Sequence, residues 1–193
     1  MLSQTRPAIA LLAIMTVLTG VAYPLAITGI GQALFPHQAN AAPITRDGVV
    51  VGSEHIGQTF TRPEYFHGRP SAVDYDAASS GGTNFAPTNR ELVDAVAERA
   101  RRLAAETGVE RIPVNLVTSS ASGLDPHISP DSAYLQIKRV AEARSVPAEE
   151  LRRIVNEHIE GPLLGVFGAP AVNVLKLNLA LDERAPHPET KRD

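Results

Sequence analysis

Hydrophobic and polar positions divide this 193-residue chain into two unequal parts. Ala8 to Phe35 reads AIALLAIMTVLTGVAYPLAITGIGQALF, with nothing polar to mark a second face. As a helix at about 1.5 Å per residue it reaches about 42 Å, against about 30 Å of bilayer hydrocarbon. The pattern predicts a transmembrane helix over residues 8–35, after a short N-terminal end at 1–7. Thr16, Thr19 and Thr28 can return their hydroxyls to the helix backbone. Pro24 removes one backbone bond, so a kink is expected near the middle. Ala39-Asn40-Ala41 offers a small-x-small cleavage pattern. Signal-peptide cores run only about 7–15 residues, however, so a retained anchor is the expectation.

Beyond a tether at 36–45, the pattern becomes that of a folded domain over 46–182. Val49-Val50-Val51 and Ile56–Phe60 read as two strands around Gly52-Ser53. Residues 61–87 show no periodicity and predict a long loop. Thr88-Asn89-Arg90-Glu91 has the form of a capping box with Thr88 as the cap, opening a helix that Gly108 stops. Leu92, Val93, Val96, Ala100 and Leu103 form its apolar face. Val114–Val117 predicts a short strand. Ser129-Pro130 starts a second helix, burying Ala133, Ile137, Val140 and Ala141. Leu151, Ile154, Val155 and Ile159 mark a third, ended by Gly161-Pro162. Leu175, Leu177, Leu179 and Leu181 alternate with Lys176, Asn178 and Ala180, which predicts a strand with one buried face. Residues 183–193 are charged and expected to fray. The fold class is therefore α+β: one transmembrane helix, then about three helices packed on a small, mostly antiparallel sheet.

Charge sharpens the division. Pro7 to Thr45 contains no Lys, Arg, Asp or Glu, and no second stretch of this kind exists. Multi-span carriers and ordinary cytosolic enzymes are excluded. One arginine, Arg6, precedes the span, which favours a cytoplasmic N-terminus and an extracytoplasmic domain. That domain has a net charge of about −4 and few aromatics, which argues against a nucleic-acid partner. The chain has no Cys, so thiol catalysis, Cys-ligated zinc and disulfides are impossible.

Three segments carry more polar detail than packing needs: Tyr65–Ser71 (YFHGRPS), Ser79–Asn84 (SSGGTN) and Ser120–Pro130 (SASGLDPHISP). A hydrolase would use Ser122 as nucleophile, His67 or His127 as base and Asp74 or Asp125 as orienting acid, but no G-x-S-x-G elbow is present. His55, His67, His127 and Asp125 could converge on a metal, without any recognised ligand spacing. Ser80-Gly81-Gly82-Thr83-Asn84 could cradle phosphate through backbone N–H groups, although it lacks the lysine of a P-loop. These residues favour a membrane-anchored binding or assembly module, with no catalytic residues and no metal.

Taken in order with Val172-Asn173-Val174-Leu175-x-Leu177-Asn178, these strings resemble the C subunit of the bacterial potassium-transporting Kdp ATPase over residues of about 5–182. The resemblance implies an accessory, non-transporting subunit in a bacterial plasma membrane. Its implied partners are a channel-like potassium-binding subunit, a P-type ATPase subunit and a small single-span subunit. The family is described as a catalytic chaperone that raises the ATPase subunit's affinity for ATP, with no stably bound cofactor of its own. Ser80–Asn84 is compared in that family with the signature loop of ABC transporters; here Asn84 stands where that signature has Gln, and Ser79 where it has Leu. The family's domain lies outside the cytoplasm, where ATP is absent, so two readings stand: an indirect effect by linkage, or direct nucleotide contact by the Ser80–Asn84 loop. Phe66, His67, Gly68, Arg69, Ser71, Ser122, Asp125 and His127 are the expected docking residues.

Overall fold

The structure is a computed structural model and describes residues 4–185; most of the expected C-terminal tail lies outside them. The chain separates into two compact units, meeting at Val51 and Gly52.

In the first unit a continuous helix runs Thr5–Leu34, long and apolar enough to cross a membrane, with a mean hydropathy of 2.1 over its most apolar 18 residues. It is built from α1 (Thr5–Val17), a π-helical turn at Leu18–Ala22, and α2 (Tyr23–Leu34). The π turn is the response to Pro24. A proline cannot donate to the carbonyl four residues back, here Gly20, and its ring crowds that carbonyl. Widening the turn around Gly20 gives the ring room. Thr19 returns its hydroxyl to Met15 O at 2.7 Å, as expected of a threonine in lipid. A single turn, α3 (Pro36–Ala39), follows.

Strands β1 (Pro43–Arg46) and β2 (Val49–Ser53) form a two-stranded sheet. Asp47 and Gly48 connect them at φ of 51° and 78°, the left-handed pair a two-residue hairpin needs. The strand at Val49–Val51 is therefore real, but its partner is the preceding segment. Ile56–Phe60 is not a strand; Ile56 makes only an isolated bridge to Ser53. The Asp-Gly turn outcompetes the looser Gly52-Ser53 turn.

The second unit packs four helices around a three-stranded sheet. The helices are α4 (Arg90–Thr107), α5 (Pro130–Arg144), α6 (Ala148–Glu157) and α7 (Val174–Arg184). The strands β3 (His127–Ile128), β4 (Ile159–Glu160) and β5 (Ala171–Asn173) lie in the order β3-β5-β4. Both pairings are antiparallel, with Ile128 and Ile159 each opposite Val172. The core gathers Ile128, Ile137, Val140, Leu151, Ile154, Val155, Leu177 and Leu181 from these elements and Phe66 from the long loop.

Helix α5 starts where its sequence says: Ser129 accepts a hydrogen bond from Ser132 N–H, and Pro130 occupies the first turn. Helix α4 is capped one residue later than expected, by Asn89, whose side chain accepts from Glu91 N–H at 2.7 Å. Val114–Leu116 is a 3-10 turn, not a strand; its amides bond locally, back to Pro113 and Val114 carbonyls. The largest difference is α7. Leucines at every second position satisfy a helical repeat as well, because Leu177 and Leu181 are four apart. Asn173 decides the outcome by accepting from Lys176 N–H at 3.1 Å, a helix cap. Asn178 and Ala180, on the exposed face of the expected strand, are buried in the helix.

Candidate functional site

The three polar segments singled out in the sequence converge. Arg69 donates to Asp125 Oδ2 at 2.8 Å and reaches Ser119 O at 3.4 Å. Ser71 donates its hydroxyl to Gly123 O at 2.7 Å and accepts from the Val73 and Tyr75 N–H groups. Ser80 Oγ and Gly81 N–H both donate to Ser122 O, at 3.1 and 2.9 Å. Gly123 makes this approach possible. Its φ is +67°, and a Cβ there would stand 2.5 Å from a Val73 methyl and 2.7 Å from Gly81 O. Gly68 similarly leaves the space that the Tyr75 hydroxyl fills, while that hydroxyl donates to Arg69 O at 2.6 Å. Burial and the neighbouring Asp125 charge push the Tyr75 hydroxyl up to about 12.

A charged relay leads away from Arg69. Asp125 Oδ1 accepts from His127 N–H at 2.9 Å, and His127 Nδ1 lies 3.6 Å from the same oxygen. His127 Nε2 stands 3.7 Å from Glu160, which together with Glu54 flanks the Lys176 ammonium at 3.5 and 2.8 Å. Burial alone would raise the Asp125 carboxyl. Hydrogen bonds from His127 and Arg69, with the Arg69 charge, overcome it and hold the group at about 2. His127 is raised above the ordinary imidazole value, first by its bond to Asp125, against burial, and then by Glu160.

A second set of contacts fixes the start of the long loop. Asn178 brackets Phe66, accepting from its N–H at 2.9 Å and donating to its C=O at 3.0 Å. Gln136 does the same for His67, at 2.8 and 3.1 Å. Arg139 donates to the Pro63 and Tyr65 carbonyls. The fully buried Arg144 ties Glu64 O, Ala185 O and the Asp182 carboxylate together at 2.7–2.9 Å. None of these four residues stood out in the sequence, although Asn178, polar among buried leucines once α7 is read as a helix, carries the signal.

These positions sort the expected site residues. Phe66 is wholly buried and serves the core, so its ring is not offered to a partner. His67 bonds Arg62 O through Nε2, and burial lowers it below the ordinary imidazole value. Gly68, Arg69, Ser71, Ser122, Asp125 and His127 belong to the converging loops. A hydrolytic triad is not assembled: Ser122 Oγ accepts from Leu124 N–H and meets Ser120 Oγ, not an imidazole. Of His55, His67, His127 and Asp125 only the last two meet, and the described residues hold no cluster of three or more potential metal ligands. The Ser80–Asn84 loop spends its Ser80 hydroxyl and Gly81 amide on Ser122 O. It also opens no helix, since α4 begins at Arg90 behind its own cap.

One helix long and apolar enough to cross a membrane, among the described residues, and a domain whose polar loops are bound to one another have the plan of a membrane-anchored module. The sequence matches the KdpC description, K⁺-transporting ATPase c chain, over residues 5–183. It is 51% identical to the potassium-transporting ATPase KdpC subunit of Rhodopseudomonas palustris, over 96% of this chain and all of the relative. Identity to the same subunit is 54% in Sorangium cellulosum, covering 94% of this chain and 98% of the relative. In Gemmatimonas aurantiaca it is 53%, covering 94% of each. The chain belongs to the KdpC family and is an accessory, non-transporting component of a Kdp potassium-transporting ATPase.

Proposed function

We propose that the domain over 46–182 sits outside the cytoplasm of a bacterial plasma membrane and docks on the channel-like and ATPase subunits through its converging loops. The helix at 8–35 anchors it as a retained span with a cytoplasmic N-terminus. The observation that carries this reading is the convergence itself: the segments bearing Arg69 and Ser71, Ser80 and Gly81, and Ser122, Asp125 and His127 are held together by hydrogen bonds between them. Such pre-ordering lowers the entropy cost of docking. ATP affinity then rises by linkage, because a subunit that binds one conformation of its partners better shifts them toward it. Direct nucleotide contact by Ser80–Asn84 is the weaker reading, since its Gly81 amide is already used within the domain.

The test is protease treatment of intact spheroplasts carrying the whole complex. Digestion of the domain from outside is expected; protection until the membrane is opened would overturn the reading. The full chain in detergent is expected to give no binding heat with ATP.

A further inference from the structure

Helix α4 is 18 residues long, yet none of its side chains is buried. Its apolar positions Leu92, Val96, Ala100 and Leu103 are spaced for one covered face, and each remains only partly covered. Between α4 and α5 runs a groove of about 670 Å³, lined by Leu103, Leu116 and Leu135 among its apolar residues. Arg69, paired with Asp125, lines it as well, beside four further cations: Arg99 and Arg102 from α4, Lys138 and Arg139 from α5. Glu106 and Glu142 share the groove.

These four cations make no ion pair within the described residues of the domain, although the Glu106 and Glu64 charges act on Arg139 from a distance. Arg99 donates to Val117 O, and Arg139 to the carbonyls of Pro63 and Tyr65 and to Gln136. Among the described residues no carboxylate lies within ion-pair distance of any of the four. By contrast Arg69 at the groove's edge pairs with Asp125, Arg144 with Asp182 and Lys176 with Glu54. In a domain with net negative charge this groove is a local reversal of sign.

We infer that the α4–α5 groove receives an acidic segment of another subunit of the complex, its carboxylates meeting Arg99, Arg102 and Lys138 and an apolar side chain covering Leu103. Charge complementarity selects the acidic partner. The apolar lining selects a protein segment over a flat anionic membrane surface, which cannot fill a groove. The inference rests on the docking role proposed above and extends it from His67, Gly68 and Arg69, which line one edge of the groove, to the faces of α4 and α5.

A photo-crosslinking residue placed at Leu103, and separately at the exposed Ala121 of the converging loops, tests this in the assembled complex in its membrane. The Leu103 probe is expected to capture an acidic segment of another subunit, identified by mass spectrometry. Adding Arg102→Glu and Lys138→Glu, both on exposed positions, is expected to reduce that adduct about tenfold. High salt acting on the probe-bearing chain without these substitutions is expected to reduce it as well, a measurement independent of how the charge-reversed chain folds. An adduct with lipid, a neutral or basic segment at Leu103, or displacement by ATP would overturn the groove assignment. So would silence at Leu103 alongside capture at Ala121. Silence at both positions would overturn the docking role as well.

Discussion

Helices α4 and α5 pack beside each other, are 18 and 15 residues long, and are both capped by a side chain at their start; α5 buries seven side chains and α4 none. The difference is not one of sequence periodicity, since both carry apolar residues at helical spacing. It lies in what each helix faces. Helix α5 presents Ala133, Ile137 and Val140 to the core, and its polar residues Gln136, Arg139 and Arg144 hold the segment 63–67. Helix α4 has the groove on its side instead. An amphipathic pattern states that a face is meant to be covered; it does not state that the cover comes from the same chain.

The sharpest way to break this contrast is Arg144→Met. It leaves the Glu64 and Ala185 carbonyls and the Asp182 carboxylate without their shared donor. A loss of about 3–5 kcal/mol is expected in chemical denaturation of the full chain, the range for removing one partner of a buried charged network. A loss under about 1 kcal/mol would erase the distinction between the two helices.

Gly123→Ala asks whether the converging loops share the rigidity of the α5 side. A methyl at φ +67°, in contact with Val73 and Gly81 O, is expected to cost about 2 kcal/mol by the same denaturation. A neutral outcome would make the loop cluster as loose as α4.

A smaller effect concerns Asp125. Its folded carboxyl, at about 2, lies below its ordinary 3.8, so the stabilisation it provides is present above the ordinary value and lost as pH falls through about 2. His127 works in the opposite sense: raised in the fold, it stabilises below the ordinary imidazole value and ceases to do so as pH rises through its folded value. Asp125→Asn is therefore expected to flatten the acid limb of a pH–stability curve and to reduce the alkaline loss due to His127, of which the part due to Glu160 remains. Persistence of both limbs at full size would sink the assignment.

The smallest effect is Leu103→Ala. A core leucine truncation costs about 2–5 kcal/mol; in α4 a cost under about 1 kcal/mol is expected by the same denaturation. A core-sized loss would show that α4 is a structural helix after all.

The legible and illegible parts of the sequence divide on physical lines. The apolar helix, the Ser129-Pro130 start of α5 and the Leu151, Ile154 and Val155 stripe of α6 announce themselves by local spacing, whereas Ile159, expected in the same helix, lies in β4 because α6 ends at Glu157. The three loop strings also stand out by their polar excess, but that they converge on one another is not visible in the sequence. Helix α7 is misread because Leu-x-Leu spacing fits two periods, and only the cap at Asn173 separates them. The β1–β2 hairpin is missed because Pro43–Arg46 lies in a stretch read as tether. The roles of Gln136, Arg144 and Asn178 are settled by contacts 38 to 112 residues away in the chain, which no local window contains.

The bracketing of Phe66 and His67 by Asn178 and Gln136 has a consequence for exchange with solvent. These two amide hydrogens lie in a stretch without helix or strand, where exchange is ordinarily governed by fast local motion. Here each is held by an amide side chain rooted in a core helix, and releasing it means displacing Phe66 from the core. Their deuterium uptake is thus tied to the opening of α5 and α7, and the start of the longest loop belongs to the same cooperative unit as the helices that hold it.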